Sequence, residues 1–329
     1  MKQPLQDAHN RTFNYLRISI TDRCNLRCQY CAPVKPFTML SHDDILQYEE
    51  LLRIVKAGVG FGVDKVRVTG GEPLVRKGVE RFLSMLSNVE GLKDVSLTTN
   101  GVLLSEKIDD LVTAGIKRIN ISLDSLDREN FKRITGRDHF DKVWRGIQAS
   151  LDRCMDPVKI NMVAMKGTND HEILDFARLS LQYPVHVRFI EYMPIGQTVM
   201  SSSLQILTPD IRKKVEELGE LIPVKRSQSD GPAFRFRLKD ALGEIGFISP
   251  ISRHFCHQCN RLRLTADGKL RPCLLSDKQI DIKTPLRSGI SDEGIREIFS
   301  DALNQKGKVH GISTVPDYRT DAPMCAIGG

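Results

Sequence analysis

An α/β fold, laid out as successive βα units of a parallel barrel or an open sheet, is what this sequence predicts. Three observations lead there. Strand-like and helix-like segments alternate through the first two thirds of the chain, the order that builds parallel βα units. One unit recurs every roughly 25–50 residues, enough for a strand and its crossover helix. Several strands also alternate polar and apolar residues, which a strand buried on both faces does not need. In Lys65-Val66-Arg67-Val68-Thr69, positions 65, 67 and 69 share one face. That face either lines a polar cavity inside an incompletely closed barrel or meets solvent.

The strand-like runs are Tyr15–Ile20, Lys65–Thr69, Val95–Thr99, Arg118–Leu123, Val158–Val163 and His186–Glu191. They are rich in β-branched residues and bounded by Gly, Asp or Asn. The helices between them are His42–Gly58, Val79–Ser87, Glu106–Ala114, Asp141–Arg153 and His171–Leu181. The first is expected to start after Ser41 as N-cap, with Asp43 and Asp44 in its first turn. After Pro223 the pattern changes. Ala233–Leu238 and Glu244–Ser249 read as antiparallel strands turning through Asp240 and Gly243, a helix covers Ser291–Asn304, and the tail from Gly311 has no regular pattern. The expected division is therefore 1–220 and 221–329.

The chain has 329 residues, 48 basic and 41 acidic, for a net charge of +7. Basic residues are spread along the chain, and with six Tyr and one Trp there is little for stacking nucleic-acid bases. A local site for a polyanionic small molecule fits the charge at least as well. No apolar stretch approaches the ~20 residues that span a bilayer. The polar Met1–Asn10 segment lacks the apolar core of a secretory signal. The expected compartment is therefore the cytoplasm, where stable disulfides are rare, so the eight cysteines point to metal. Cys154 reads as a free core thiol.

Six of the cysteines form two triplets, Cys24-x3-Cys28-x2-Cys31 and Cys256-x2-Cys259 followed by Cys273. A structural zinc site fills four ligand positions, and each triplet is one short. His42, the nearest histidine to the first, is eleven residues beyond Cys31. His257 lies between the paired cysteines of the second, poorly placed to close a tetrahedron. A three-thiolate [4Fe–4S] cluster with one open iron needs no further ligand. The first triplet follows the first strand, at what would be the catalytic face of a βα barrel.

With Tyr30 before its last cysteine, the first triplet resembles the radical S-adenosylmethionine (SAM) superfamily. That resemblance implies an incomplete (β/α)6 barrel with an extension carrying a second cluster. It also implies SAM bound to the open iron and cleaved to a 5′-deoxyadenosyl radical. Thr69-Gly70-Gly71-Glu72-Pro73 resembles the family's SAM-binding turn. SAM contacts map onto Tyr30, Gly71, Ser122 and Met193.

Further segments narrow the match. Leu16–Asp22, Arg67–Pro73, Thr98–Gly101, Asn120–Asp124, Arg188–Glu191, the hairpin Phe255–Cys273 and the terminal Ile327-Gly328-Gly329 together resemble the GTP 3′,8-cyclase family of molybdenum-cofactor biosynthesis. The family activity is abstraction of hydrogen from C3′ of GTP and closure onto C8. The resemblance implies a second [4Fe–4S] cluster on Cys256, Cys259 and Cys273, with GTP on its open iron. It places GTP contacts at Arg17, Arg67, Thr98, Lys159, Arg261 and Arg263, with Lys65 and Arg188 as additions. It places Arg17, Arg261, Arg263, Gly328 and Gly329 in the reaction. Its implied partners are an electron donor and a synthase that makes cyclic pyranopterin monophosphate, with the chain a monomer or homodimer.

Independently of the family, cations cluster on predicted strands only if something neutralises them, and a triphosphate has the charge and acceptors to do so. The chain departs from the family pattern at Ala32 and at Met324-Cys325-Ala326, and the sequence assigns Cys325 no role. A peptide-modifying radical SAM enzyme would share the first triplet without needing Arg261-x-Arg263 or the terminal glycines. A non-catalytic metal protein binding nucleic acid is the remaining alternative.

Overall fold

The computed structural model describes residues 4–32, 38–196, 198, 202–225, 231–310 and 320–328. Six strands, β1 (Tyr15–Ser19), β2 (Lys65–Thr69), β3 (Asp94–Thr99), β4 (Ile119–Ser122), β5 (Val158–Ala164) and β6 (Val185–Glu191), pair in parallel and in chain order. Each end lies within one residue of its predicted position. The helices are α1 (Tyr48–Gly60), α2 (Val79–Ser87), α3 (Leu104–Thr113), α4 (Arg128–Thr135), α5 (Phe140–Asp152), α6 (Ile173–Gln182) and α7 (Thr208–Val215). Their apolar stripes, such as Val79, Phe82, Leu83 and Leu86 on α2, pack on the outer face of the sheet. There Leu16, Ile18, Val66 and Val68 are completely buried.

Two helical readings are corrected. α1 begins at Tyr48, not His42. Ser41 caps only a turn, accepting from the Asp44 N–H at 3.2 Å and donating to its carboxylate at 2.7 Å. Such local side-chain bonds compete with helix propagation, and the helix starts where Gln47 N–H donates to Glu50 at 2.7 Å. The sequence reading also lacks α4 and α7. α4 has little apolar signal beyond Phe131 and Ile134, yet it is capped by Asp127, whose carboxylate accepts from Asn130 N–H at 2.7 Å, and ended by left-handed Gly136 at φ 69°.

The C-terminal third does not form a separate sheet. β7 (Ile222–Pro223), β8 (Phe234–Arg237) and β9 (Glu244–Ile248) extend one edge, with β9 parallel to β6 and antiparallel to β8. β10 (Arg261–Leu264), β11 (Lys269–Arg271) and β12 (Ile280–Asp281) extend the other, with β10 parallel to β1. Among the described residues the result is one twelve-stranded sheet, β12-β11-β10-β1-β2-β3-β4-β5-β6-β9-β8-β7, whose outermost strands do not pair with each other. It is an incomplete α/β barrel with extended rims. Three more helices follow, α8 (Lys283–Arg287), α9 (Asp292–Asn304) and α10 (Met324–Ile327). α10 is a single turn in the tail, which the sequence reading left irregular. Cys154, expected in the core, is exposed: it follows the end of α5 in a left-handed conformation at φ 52°, outside the buried stripe.

Candidate active site

The strand register builds the site. Tyr15 is level with Lys65 on one side and Arg261 on the other; Arg17 is likewise level with Arg67 and Arg263. On the far wall Thr98, Asn120, Lys159 and His186 form a row, and Ser122, Asn161 and Arg188 form the next. Side chains alternate along a strand, so while Leu16 and Ile18 face the helices, Tyr15 and Arg17 face inward. Together with Lys65, Arg67, Thr98, Lys159, Arg188, Arg261 and Arg263 they line one cavity of about 300 Å³.

Both cysteine triplets open onto that cavity, as do Tyr30, Gly71, Ser122 and Met193. The first triplet follows the C-terminal end of β1. Cys256 and Cys259 precede β10 and Cys273 follows β11, as the predicted hairpin required. Because β10 runs parallel to β1, this puts the second triplet at the opposite end. Five residues of β1, at ~3.3 Å each, separate the two ends by on the order of 15 Å. The described residues thus bring together every predicted ligand and contact except Gly329, which lies outside them. His257 is exposed and does not line the cavity.

The donor sets suit iron–sulfur clusters. Thiolates around a single zinc stand about 3.8 Å apart, from a ~2.3 Å bond in a tetrahedron. Among the described residues no three His, Cys, Asp or Glu side chains converge in that way. Cys24 Sγ accepts Leu26 N–H at 3.4 Å and Asn100 Nδ2 at 3.6 Å, and Cys273 Sγ accepts Leu275 N–H at 3.4 Å. Such donors to sulfur tune a bound cluster. Burial pushes the Cys24 thiol up to about 11 and the Cys28 thiol well above its ordinary value. Cys259 behaves differently: burial raises it, but Arg261 and Lys306 prevail and bring it down to about 6.

Among the described residues eight Lys and Arg side chains line the cavity, Lys65 and Arg118 of them paired with Asp94, and its lining acids are Glu72 and Asp124. Both acids are committed elsewhere. Glu72 accepts Thr99 Oγ1 at 2.8 Å and Asn100 N–H at 2.6 Å, and Asp124 accepts Tyr30 O–H at 2.7 Å and Val163 N–H at 2.9 Å. Burial and the neighbouring Arg188, Arg118 and Arg67 depress Lys159 to about 6. Burial and Arg67 bring Arg188 to about 9, and burial and Arg261 bring Arg263 to about 10. Buried Tyr15 O–H, Thr98 Oγ1 and Asn161 Oδ1 have no hydrogen-bond partner among the described residues. A cavity crowded with cations and orphaned polar atoms is built for a polar anion.

Gly71 has a structural requirement of its own. A Cβ there would lie 2.3 Å from Arg23 O and 2.8 Å from Asp22 O, because the cysteine loop crosses directly over the turn. Gly71 N–H donates to Thr21 O at 2.6 Å and Glu72 N–H to Arg23 O at 2.7 Å. The glycine turn thus clamps the loop that carries the first triplet.

The tail enters from the other side. Arg263 Nη1 donates to Gly328 O at 2.6 Å. Gly328 adopts φ +70°, and a Cβ on it would lie 2.8 Å from Thr69 Cγ2 and 3.1 Å from Ser19 Cβ. The structure adds residues that sequence reasoning missed. Tyr15 and Asn161 share strand faces with Arg17 and Lys159, so strand parity was an available signal. Arg11, donating to Cys256 O at 2.6 Å, and Lys306, donating to Arg261 O at 2.8 Å and Pro272 O at 2.5 Å, brace the second triplet from remote positions and carried no signal.

Comparison with known proteins agrees with this geometry. Residues 18–180 match the radical SAM superfamily model, and residues 185–312 match the model described as Molybdenum Cofactor Synthesis C. The chain is 50% identical over 327 residues to the GTP 3′,8-cyclase of Thermodesulfovibrio yellowstonii, covering 99% of this chain and all of the relative. It is 46% identical over 325 residues to that of Moorella thermoacetica, with the same coverage. In fold it is similar to Streptococcus suis SuiB bound to S-adenosylmethionine, with a TM-score of 0.60 at 15% identity over 93% of this chain and 69% of that one. The chain belongs to the GTP 3′,8-cyclase family, within the radical SAM superfamily.

Proposed function

We infer that this chain is a GTP 3′,8-cyclase, holding two [4Fe–4S] clusters and SAM and catalysing the first step of molybdenum-cofactor biosynthesis. The observation that carries the reading is one cation-lined cavity with an incomplete cysteine triplet at each end. When bound, the N-terminal cluster and SAM supply the adenosyl radical that removes hydrogen from C3′ of GTP. The product is (8S)-3′,8-cyclo-7,8-dihydroguanosine 5′-triphosphate.

The chain's own residues bind, orient and enclose. Cys24, Cys28 and Cys31 hold the first cluster, with Tyr30, Gly71, Ser122 and Met193 around SAM. Cys256, Cys259 and Cys273 hold the second, beside the guanine. Arg17, Arg67 and Lys159, supplemented by Lys65 and Arg188, neutralise the triphosphate, and Thr98 offers it a hydroxyl. Arg261 serves both the base and the Cys259 thiolate. Arg263 bridges the substrate and Gly328 of the tail. An external electron donor reduces the protein, and a cyclic pyranopterin monophosphate synthase takes over the product. The cytoplasm suits its free thiols; among the described residues no helix is long and apolar enough to cross a membrane.

The direct test is anaerobic reconstitution with iron and sulfide, then SAM, a reductant and GTP. Both 5′-deoxyadenosine and the cyclised nucleotide should form. Absence of both, in protein carrying its iron, overturns the assignment. Formation of 5′-deoxyadenosine only when a peptide replaces GTP would indicate a peptide-modifying enzyme.

A further inference from the structure

Lys306 is a buried cation that meets no carboxylate among the described residues. It is 5% exposed, and its ammonium donates to two carbonyls, Arg261 O at 2.8 Å and Pro272 O at 2.5 Å. The end of α9 holds it there. Lys306 N–H donates to Leu303 O at 2.9 Å, and Phe299 of the same helix is fully buried against Phe13 and Phe61. Both acceptors belong to the hairpin of the second triplet. Arg261 lies two residues after Cys259, and Pro272 directly precedes Cys273. The β10–β11 register pairs Arg263 with Arg271, and continuing it brings Arg261 level with Cys273 at the mouth of the hairpin. A second cavity, of about 230 Å³, is lined by all three cysteines together with Lys306, Arg11 and His310.

A buried charge left unpaired is costly, and carbonyl oxygens satisfy its hydrogen bonds without cancelling it. The neighbouring groups able to cancel it are the cysteines. Three thiolates outweigh the charge of an oxidised four-iron core, so the loaded site is an anion, and one added electron makes it more so. Arg11 reaches the same triplet, donating to Cys256 O at 2.6 Å, but brings no net charge because its Nε meets Asp7 Oδ2 at 2.5 Å. Arg261 faces the substrate cavity, where the charge of the nucleotide acts on it. Lys306 is not among the residues lining that cavity. The downward pull of Arg261 and Lys306 on the Cys259 thiol has the sign expected of cations beside the triplet.

We propose that Lys306 tunes the second iron–sulfur cluster, its buried ammonium stabilising the reduced, more negative state and so raising the reduction potential of that site. The proposal rests on the reading of Cys256, Cys259 and Cys273 as cluster ligands. In the step concerned, one electron passes from the external donor to the cluster; no bond forms or breaks and no proton moves. Lys306 is a positioning residue: it touches neither the nucleotide nor SAM, and it acts through the field it places on the thiolates. Because it lies outside the substrate cavity, its contribution is the same with and without GTP.

The test is a redox titration of the reconstituted holoenzyme followed by electron paramagnetic resonance, with the second cluster identified by its spectral response to GTP. Lys306→Met keeps the reach of the side chain and removes the charge. In it the ratio of reduced to oxidised second cluster at a fixed potential should fall about tenfold, or ~59 mV for a one-electron couple. Lys306→Gln keeps a donor for the loop carbonyls without the charge, and its second cluster should shift in the same direction. Lys306→Arg keeps the charge and should stay near the native potential. The N-terminal cluster should titrate alike in all four proteins. A second cluster that titrates as in native protein in both Lys306→Met and Lys306→Gln overturns the proposal. So does loss of that cluster from both neutral variants, which would make Lys306 a structural tie. Native protein that holds iron for one cluster alone defeats the two-cluster reading itself, a failure distinct from an unshifted potential.

Discussion

Lys159 should take up a proton when GTP binds. In the free protein, burial and the surrounding arginines hold it at about 6 against an ordinary value of 10.5. At pH 8 only roughly one molecule in a hundred then carries the charge. A bound triphosphate reverses the balance, replacing like-charge repulsion with charge-assisted hydrogen bonds. Full recovery of the ordinary value corresponds to about 6 kcal/mol, at ~1.4 kcal/mol per pH unit. GTP affinity should accordingly fall by up to about tenfold per pH unit above pH ~6. The effect on folding has the opposite sign. Between about 6 and 10.5 the unfolded chain binds the proton that the GTP-free protein does not, so the free protein gains stability as pH rises through that window.

The assay is titration calorimetry with GTP at pH 8, without SAM, in buffers of different ionisation enthalpy. At that pH the last phosphate ionisation, near ~6, is complete and contributes nothing. The slope should correspond to close to one proton taken up, and Lys159→Met should abolish it. A zero slope, or a slope that survives in Lys159→Met, would refute the reasoning.

Other outcomes follow from the same geometry. Arg261→Ala should raise the Cys259 thiol from its present value of about 6; in cluster-free protein its alkylation at pH 7 should slow at least about tenfold, since the thiolate is the nucleophile. Arg263→Ala should cut GTP turnover with iron content intact, and it should expose the tail to limited proteolysis because Gly328 loses its donor. Gly328→Val introduces a branched side chain at φ +70° against Thr69 and Ser19, costing at least ~1–2 kcal/mol, and should reduce turnover while leaving SAM binding measurable by calorimetry. Gly71→Ala forces a Cβ into the Arg23 carbonyl at 2.3 Å and should lower iron at the first site selectively, read as the loss of its spectroscopic signal.

The parallel strands were legible because β-branched runs between Gly, Asp and Asn have a period that helices do not share. The site cations were legible because they fall on predicted strands, while the shared face of Arg17 and Arg67 follows from the register of β1 with β2. α4 was not: Arg128–Thr135 is charged on most of its surface, and its stability comes from its caps and from Phe131 and Ile134 packing inward. Nor could the sequence show that β9 and β10 join opposite edges of the same sheet, since pairing with β6 and β1 depends on contacts far apart along the chain. Cys154 misled because residue type alone favours burial, while its position after the end of α5 places it in solvent.

The pairing of β10 with β1 explains why two clusters act on one substrate. Arg261 and Arg263, level with Tyr15 and Arg17, come from the strand that follows the second triplet. Arg17 comes from the strand that precedes the first. Any displacement of the second triplet along β10 would break this register, and a slip of one residue would turn Arg261 and Arg263 out of the cavity. The distance between the radical source and the bound nucleotide is therefore set by backbone hydrogen bonds between these two strands, not by loop packing. Substitutions in the cysteine loops should affect cluster occupancy first. Substitutions that weaken the β1–β10 ladder should leave both clusters in place and misalign the nucleotide with the radical source.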